Sequence, residues 1–183
     1  ILMNPYLKNV LDLINNGSMD NTYKMSWIRS IVESCEKSPK KNIHFDELSR
    51  LIFKYYWNQC IFFNLNQSHN RNKKPEIIQI VENSIKEYQL SKGFKKETFI
   101  RIENEIDIPV TKISSVLKKD VCKRFLNLGV RTHKIYDYDL TKREIKLINP
   151  RVLKTYSEIL YNSINYRWTQ ELETMDGSPR ISK

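Results

Sequence analysis

Apolar residues recur along most of this chain at spacings of three and four, the mark of helices that bury one face. Asn4-Pro5 supplies a cap and a first-turn proline, and Leu7, Val10, Leu11 and Ile14 then repeat until Gly17. A second helix is predicted from about Asn21, with Tyr23, Trp27, Ile28, Ile31, Val32 and Cys35 on its apolar side, ending before Pro39. Ile43 marks a short extended stretch. From about Asp46 a third helix turns Leu48, Leu51, Ile52 and Tyr55 inward. Residues 64–75, NLNQSHNRNKKP, are polar and unpatterned and read as a loop free to move. Pro75 opens a fourth helix, with Ile77, Ile78, Val81, Ile85 and Tyr88 recurring before Gly93. A short helical piece is predicted over 99–106. From Pro109 another helix carries Ile113, Val116, Leu117, Val121, Cys122 and Phe125 to Leu128-Gly129.

The period then changes to two. In HKIYDYDLTKREIKLINP (133–150), Ile135 and the Tyr136/Tyr138 pair alternate with polar residues, and Ile145 and Leu147 do so again after Thr141-Lys142-Arg143. This pattern predicts a β-hairpin. Asn149-Pro150 then caps a long last helix, with Leu153, Tyr156, Ile159, Leu160, Ile164, Trp168 and Leu172 on one stripe. The prediction is a mainly α, multi-helix domain with one small β-hairpin, winged-helix-like over residues 97–150. Residues 1–92 read as a helical subdomain and 93–183 as a basic helix, hairpin and C-terminal helix, or the two as one continuous domain.

Composition adds bounds. A chain of 183 residues that is 40% hydrophobic can bury a real core. Its apolar runs stay as short as Ile61-Phe62-Phe63, so the expectation is no membrane span and no membrane partner. Residues 1–20 lack a signal-peptide pattern, which points to the cytoplasm. Cys35, Cys60 and Cys122 are odd in number and far apart, so they read as buried free thiols in a reducing compartment.

Charge is the strongest global statement. The net charge is +10, and its distribution is uneven: +2 over residues 1–70, +1 over 71–111, +8 over 112–154 and −1 over 155–183. Positive charge concentrated in one stretch points to an anionic partner, most often nucleic acid. A helix followed by a hairpin is also the order of winged-helix modules, in which a helix enters a groove and the hairpin touches the adjacent backbone. Lys112, Lys118, Lys119, Lys123 and Arg124 lie opposite the apolar stripe of the helix, and Arg131, Lys134, Lys142, Arg143 and Lys146 belong to the hairpin region.

Catalytic chemistry is not legible. His44, His69 and His133 are scattered, and no HExxH is present. His69-Asn70 reads as an ordinary solvated loop, and the alternating Glu103, Glu105 and Asp107 as a solvated face. Four isolated glycines cannot build a phosphate-cradling loop. No catalytic or metal-binding residue and no cofactor is assigned within the chain. Tyr55-Tyr56-Trp57 and Trp168 read as core, not as a platform on which bases stack.

Several stretches carry a resemblance: TYKMSWIRSIVE (22–33), IHFDELSRLIFKYYWNQ (43–59), Asn66-Gln67 with Lys74-Pro75, and LYNSINYRWTQELETMDGSPRISK (160–183). Together they resemble the amino-terminal helical region of bacterial HNH-endonuclease-domain proteins of the restriction or phage-defence kind. The resemblance implies a helical region whose last long helix bears an Arg-Trp pair, here Arg167-Trp168. It leads through a Pro-Arg-Ile segment into a ββα-metal nuclease whose catalytic histidine activates water. No histidine of that module is carried over. The chain stops at Lys183, where the module would begin, so a fragment of a longer nuclease is expected, with a divalent metal only in the missing module.

The expected function is therefore a non-catalytic DNA-binding and positioning region of an HNH-type endonuclease. Its partner would be double-stranded DNA, held at Lys118, Lys119, Lys123, Arg124, Arg131, Lys134, Lys142, Arg143 and Lys146 by phosphate neutralisation. The alternative is a helical module that binds partner subunits or autoinhibits the nuclease. RNA is a lesser alternative.

Overall fold

The computed structural model describes residues 2–176. Asn4 Oδ1 accepts the Tyr6 and Leu7 amides at 2.9 and 3.2 Å and so starts α1 (Pro5–Asn16). Then come α2 (Tyr23–Ser34), β1 (Asn42–His44), α3 (Phe45–Phe62), α4 (Glu76–Lys92), α5 (Phe99–Ile102) and α6 (Val110–Asp120). A 3₁₀ turn (Arg124–Leu126), β2 (Asn127–Leu128), β3 (Arg131–Thr132), β4 (Tyr136–Asp139), β5 (Glu144–Leu147), α7 (Pro150–Thr155) and α8 (Ser157–Asp176) complete the order. The protein is mainly α, with small antiparallel sheets.

Helix α3 is central: it packs against α2, α4 and α6, while α8 lies across α1 and α2. Its apolar residues and those of its neighbours form one buried cluster that runs from Leu7 to Leu172. Tyr55, Tyr56, Trp57 and Trp168 all belong to it, as their spacing predicts. Cys35 and Cys122 are buried, Cys60 is half-buried, and all are free thiols. Burial pushes the Cys60 and Cys122 thiols up to about 12. Among the described residues no helix is long and apolar enough to cross a membrane.

The hairpin β4–β5 is present, with Tyr136 opposite Leu147 and Tyr138 opposite Ile145. It is not a two-stranded element confined to 97–150. Residues 42–44 add β1 to its edge, Ile43 against Ile145, giving the order β1-β5-β4. The unit thus draws its third strand from the amino-terminal half, because Ile43 buries against the same apolar face as Ile145 and Leu147.

Other boundaries differ from the sequence pattern. Helix α6 stops at Asp120, and Val121, Cys122 and Phe125 stay buried from a turn and a 3₁₀ segment instead. A second, two-stranded ribbon, β2–β3, follows, with Gly129 at φ 62° in its turn. Helix α5 ends at Ile102. The last helix is broken at Tyr156 (φ −106°, ψ 22°), which turns Ile159 out of the stripe to 49% exposure.

The 64–75 loop is pinned. The Thr22 amide donates to the Gln67 carbonyl at 3.1 Å, and the His69 amide to the Asp20 carbonyl at 2.9 Å. Gln67 is buried. Its Oε1 accepts from Thr22 Oγ1 at 2.7 Å and from Trp168 Nε1 at 3.3 Å, while its Nε2 donates to Gln59 at 2.6 Å. A polar side chain can sit in a core when its hydrogen bonds are made, and here they are. The Pro179-Arg180-Ile181 segment singled out in the sequence lies outside the described residues.

Candidate nucleic-acid interface

Helix α6 places Ile113, Val116 and Leu117 in the core, which leaves Lys112, Lys118 and Lys119 in solvent. Lys118 and Lys119 occupy its last turn, where the negative end of the helix dipole favours cations. The chain then turns, exposing Lys123 and Arg124, and the β2–β3 ribbon exposes Arg131. Among the described residues, none of Lys118, Lys119, Lys123, Arg124 and Arg131 forms an ion pair. This corner offers cations outside direct ion pairs, with Arg131 near enough to Asp12 to help lower its pKa.

The hairpin is different. Lys134 is paired with Asp137 at 2.8 Å, and that hydrogen bond raises the Lys134 pKa. Arg143 does not face outward: it is half-buried, and its Nη1 donates to Ser114 Oγ at 3.3 Å and to the Thr111 carbonyl at 3.4 Å. Lys142 and Lys146 are exposed. Four hairpin cations (Lys134, Lys142, Arg143, Lys146) face three anions (Asp137, Asp139, Glu144), so its own field is weak. Arg143 fixes the hairpin tip beside the first half of α6, whereas the unpaired corner begins at its last turn, about 6–12 Å further along at 1.5 Å per residue.

Between α6 and the 64–75 loop lies a cleft of about 520 Å³. Lys119 and Arg124 reach it from the corner, and Lys24, Lys73 and Lys74 line its other walls. The sequence reading missed these three lysines, because they sit in stretches whose net charge is small. Lys73-Lys74 side by side in a polar loop was the signal that could have found them. Lys74 pairs with Glu82 at 2.7 Å. Lys24 Nζ donates to the Ser18 carbonyl at 2.6 Å, and burial holds its pKa below the usual value.

Two carboxylate–imidazole contacts lie elsewhere. His133 Nε2 meets Asp12 Oδ2 at 2.7 Å, and this hydrogen bond is the main cause that lowers the Asp12 pKa. His69 Nε2 meets Glu171 Oε2 at 2.9 Å, so this loop histidine is tied to α8. Neither contact grows into a metal site, since among the described residues no group of three or more His, Cys, Asp or Glu could hold a metal ion. Arg167 is a structural residue. Its guanidinium donates to the Ile14, Asn15 and Gly17 carbonyls at 3.0, 2.6 and 2.9 Å, closing the end of α1.

No family model, curated protein or solved structure matches the chain.

Proposed function

We propose that this protein is a duplex-DNA-binding and positioning region that acts in the cytoplasm as part of an HNH-type restriction or defence endonuclease. The observation that carries DNA binding is the corner of five exposed, unpaired cations, Lys118, Lys119, Lys123, Arg124 and Arg131. The nuclease context rests on the resemblance of residues 22–33, 43–59 and 160–183.

The mechanism is neutralisation of phosphates. Each cation that meets a phosphate releases condensed counterions, and such contacts fix orientation without reading sequence. Lys142 and Lys146 on the hairpin add a secondary contact near the opposite end of α6. Arg143 and Lys134 are engaged within the protein and contribute less. DNA binding is tested by fluorescence anisotropy with a labelled duplex across a salt series. Five phosphate contacts give a log–log slope of about −4 to −5. A weak, salt-indifferent association would refute the reading, and equal or tighter binding to an RNA duplex would reassign the ligand.

One observation favours a protein-interaction module instead. Phe63, Leu90, Phe94 and Ile100 are exposed large apolar residues at the ends of α3 and α4 and on α5. Under that reading, substituting the corner cations leaves partner binding unchanged.

A further inference from the structure

We propose that the cleft between the α1–α2 turn, the 64–75 loop and the end of α6 binds a nucleoside phosphate, either free or at the end of a nucleic-acid strand. This site shares Lys119 and Arg124 with the duplex surface, but the inference does not depend on the duplex reading being correct.

The argument starts with size. At about 520 Å³ the cleft lies within the range of small-ligand sites, too small to enclose a duplex and larger than a bare phosphate fills. Its charge is placed to receive a phosphate. Lys24, Lys73, Lys119 and Arg124 line it, and none forms an ion pair among the described residues. Lys24 is the most telling of them. Its ammonium donates to Ser18 within a half-buried wall; burial lowers its pKa, the Asp20 charge opposes this, and Arg167 and Arg124 push it down. An anion entering the cleft gains charge-assisted hydrogen bonds from these cations.

The rest of the lining argues against a simple anion sink. Asp20, Glu76 and Asp120 also face the cleft. They repel a bare phosphate, but they can accept hydrogen bonds from ribose hydroxyls or from the amino group of a base. Asn21, Asn70 and Asn127 offer amide N–H donors, their Oδ1 atoms each already accepting one bond, from Tyr23 N–H, Asn72 N–H and Thr132 Oγ1. Cations together with carboxylate acceptors and amide donors match a phosphate joined to a sugar and a base. The walls are held in place, because the Asn21–Ser68 bridge and the Asp20 carbonyl, which accepts from His69 N–H and Ser68 Oγ, tie the loop to the α1–α2 turn.

Isothermal titration calorimetry in a low-salt, phosphate-free buffer tests this with inorganic phosphate, AMP, ATP, and an oligothymidylate with or without a 5′-phosphate. A nucleotide probe should bind 1:1 with a Kd at or below about 1 mM, and at least about tenfold tighter than inorganic phosphate. Arg124→Gln, an exposed change that the fold should tolerate, should weaken this binding by about tenfold or more, and Lys24→Met should do the same. The Lys118→Gln/Lys123→Gln variant, outside the cleft, should bind the nucleotides as the parent does even where its duplex affinity falls. A preference for the 5′-phosphorylated oligothymidylate identifies a strand end as the source, and a preference for AMP or ATP a free nucleotide. No saturable binding of any nucleotide probe up to about 5 mM, parent-like binding by Arg124→Gln, or inorganic phosphate binding as tightly as AMP would overturn the proposal.

Discussion

Arg143 Nη1 lies 3.3 Å from Ser114 Oγ, so the most basic side chain of the hairpin turn bonds to a helix of its own protein. Its backbone is committed as well. Arg143 sits at φ 54°, in the left-handed region, while its carbonyl accepts the Phe45 amide at 2.8 Å. The residue is a clasp that joins the hairpin, the start of α3 and the start of α6.

Arg143→Ala should therefore cost stability more than DNA affinity. Two partly exposed hydrogen bonds are lost, for a total of about 1–2 kcal/mol by urea unfolding, while the left-handed backbone adds nothing, because arginine and alanine bear the same Cβ penalty there. Lys142→Ala and Lys146→Ala should each stay within about 0.5 kcal/mol of the parent. Equal, negligible losses for all three would show that the clasp does not hold the hairpin.

The sequence shows the helices and the hairpin clearly because their apolar spacing is regular. It does not show what the tyrosines of the hairpin do. Tyr136 is fully buried, its hydroxyl accepting the Trp27 indole N–H at 3.0 Å and donating to the Cys122 carbonyl at 2.5 Å. Those partners come from α2 and from the turn after α6, and alternation within a strand cannot indicate contacts so distant. Pairing of Ile43 with Ile145 was hidden for the same reason: three residues are too few to carry a period.

The candidate site was legible in part. Clustered charge over 112–154 marked the corner at 118–131, but sequence does not say which cations are already paired. Lys134 and Arg143 looked equivalent to Lys118 and Lys123 until Asp137 and Ser114 were placed beside them. Lys24 and Lys73 reach the cleft by tertiary folding, from segments whose lysines are balanced by acids.

Arg167 provides a stability prediction. It is largely buried, pairs with Glu171 at 3.0 Å and donates to three carbonyls at the end of α1. Arg167→Ala should cost about 2–4 kcal/mol, since the carbonyls at the end of α1 lose their donor and the Glu171 carboxylate keeps only His69. Arg167→Lys should recover less than half of this, because one ammonium cannot reproduce the planar fork. Full rescue by lysine in thermal or urea unfolding would show that only the charge matters.

Asp12 provides a pH prediction. Hydrogen bonds from His133 and Asn16 hold its carboxyl below the usual range. A depressed carboxylate pKa contributes stability that is present above the ordinary carboxylate value and is lost as pH falls through the lowered one. Asp12→Asn should therefore be less stable than the parent near pH 6, with the gap narrowing steadily as pH falls below about 4. A gap that stays constant from neutral to strongly acidic pH would show that the ionised carboxylate is not what stabilises this contact.

The central claim is that the corner at the end of α6, more than the hairpin, holds DNA. The direct measurement is the salt dependence of binding to a labelled duplex of about 20 base pairs, by anisotropy, for the parent and two variants. One variant carries Lys118→Gln, Lys123→Gln and Arg131→Gln, all outside the cleft, and the other carries Lys142→Gln and Lys146→Gln. The corner variant should weaken binding to every duplex sequence alike and flatten the log–log slope by about two to three units. The hairpin variant should flatten it by about one to two at most. A corner variant that keeps the parent's affinity and slope would contradict the account.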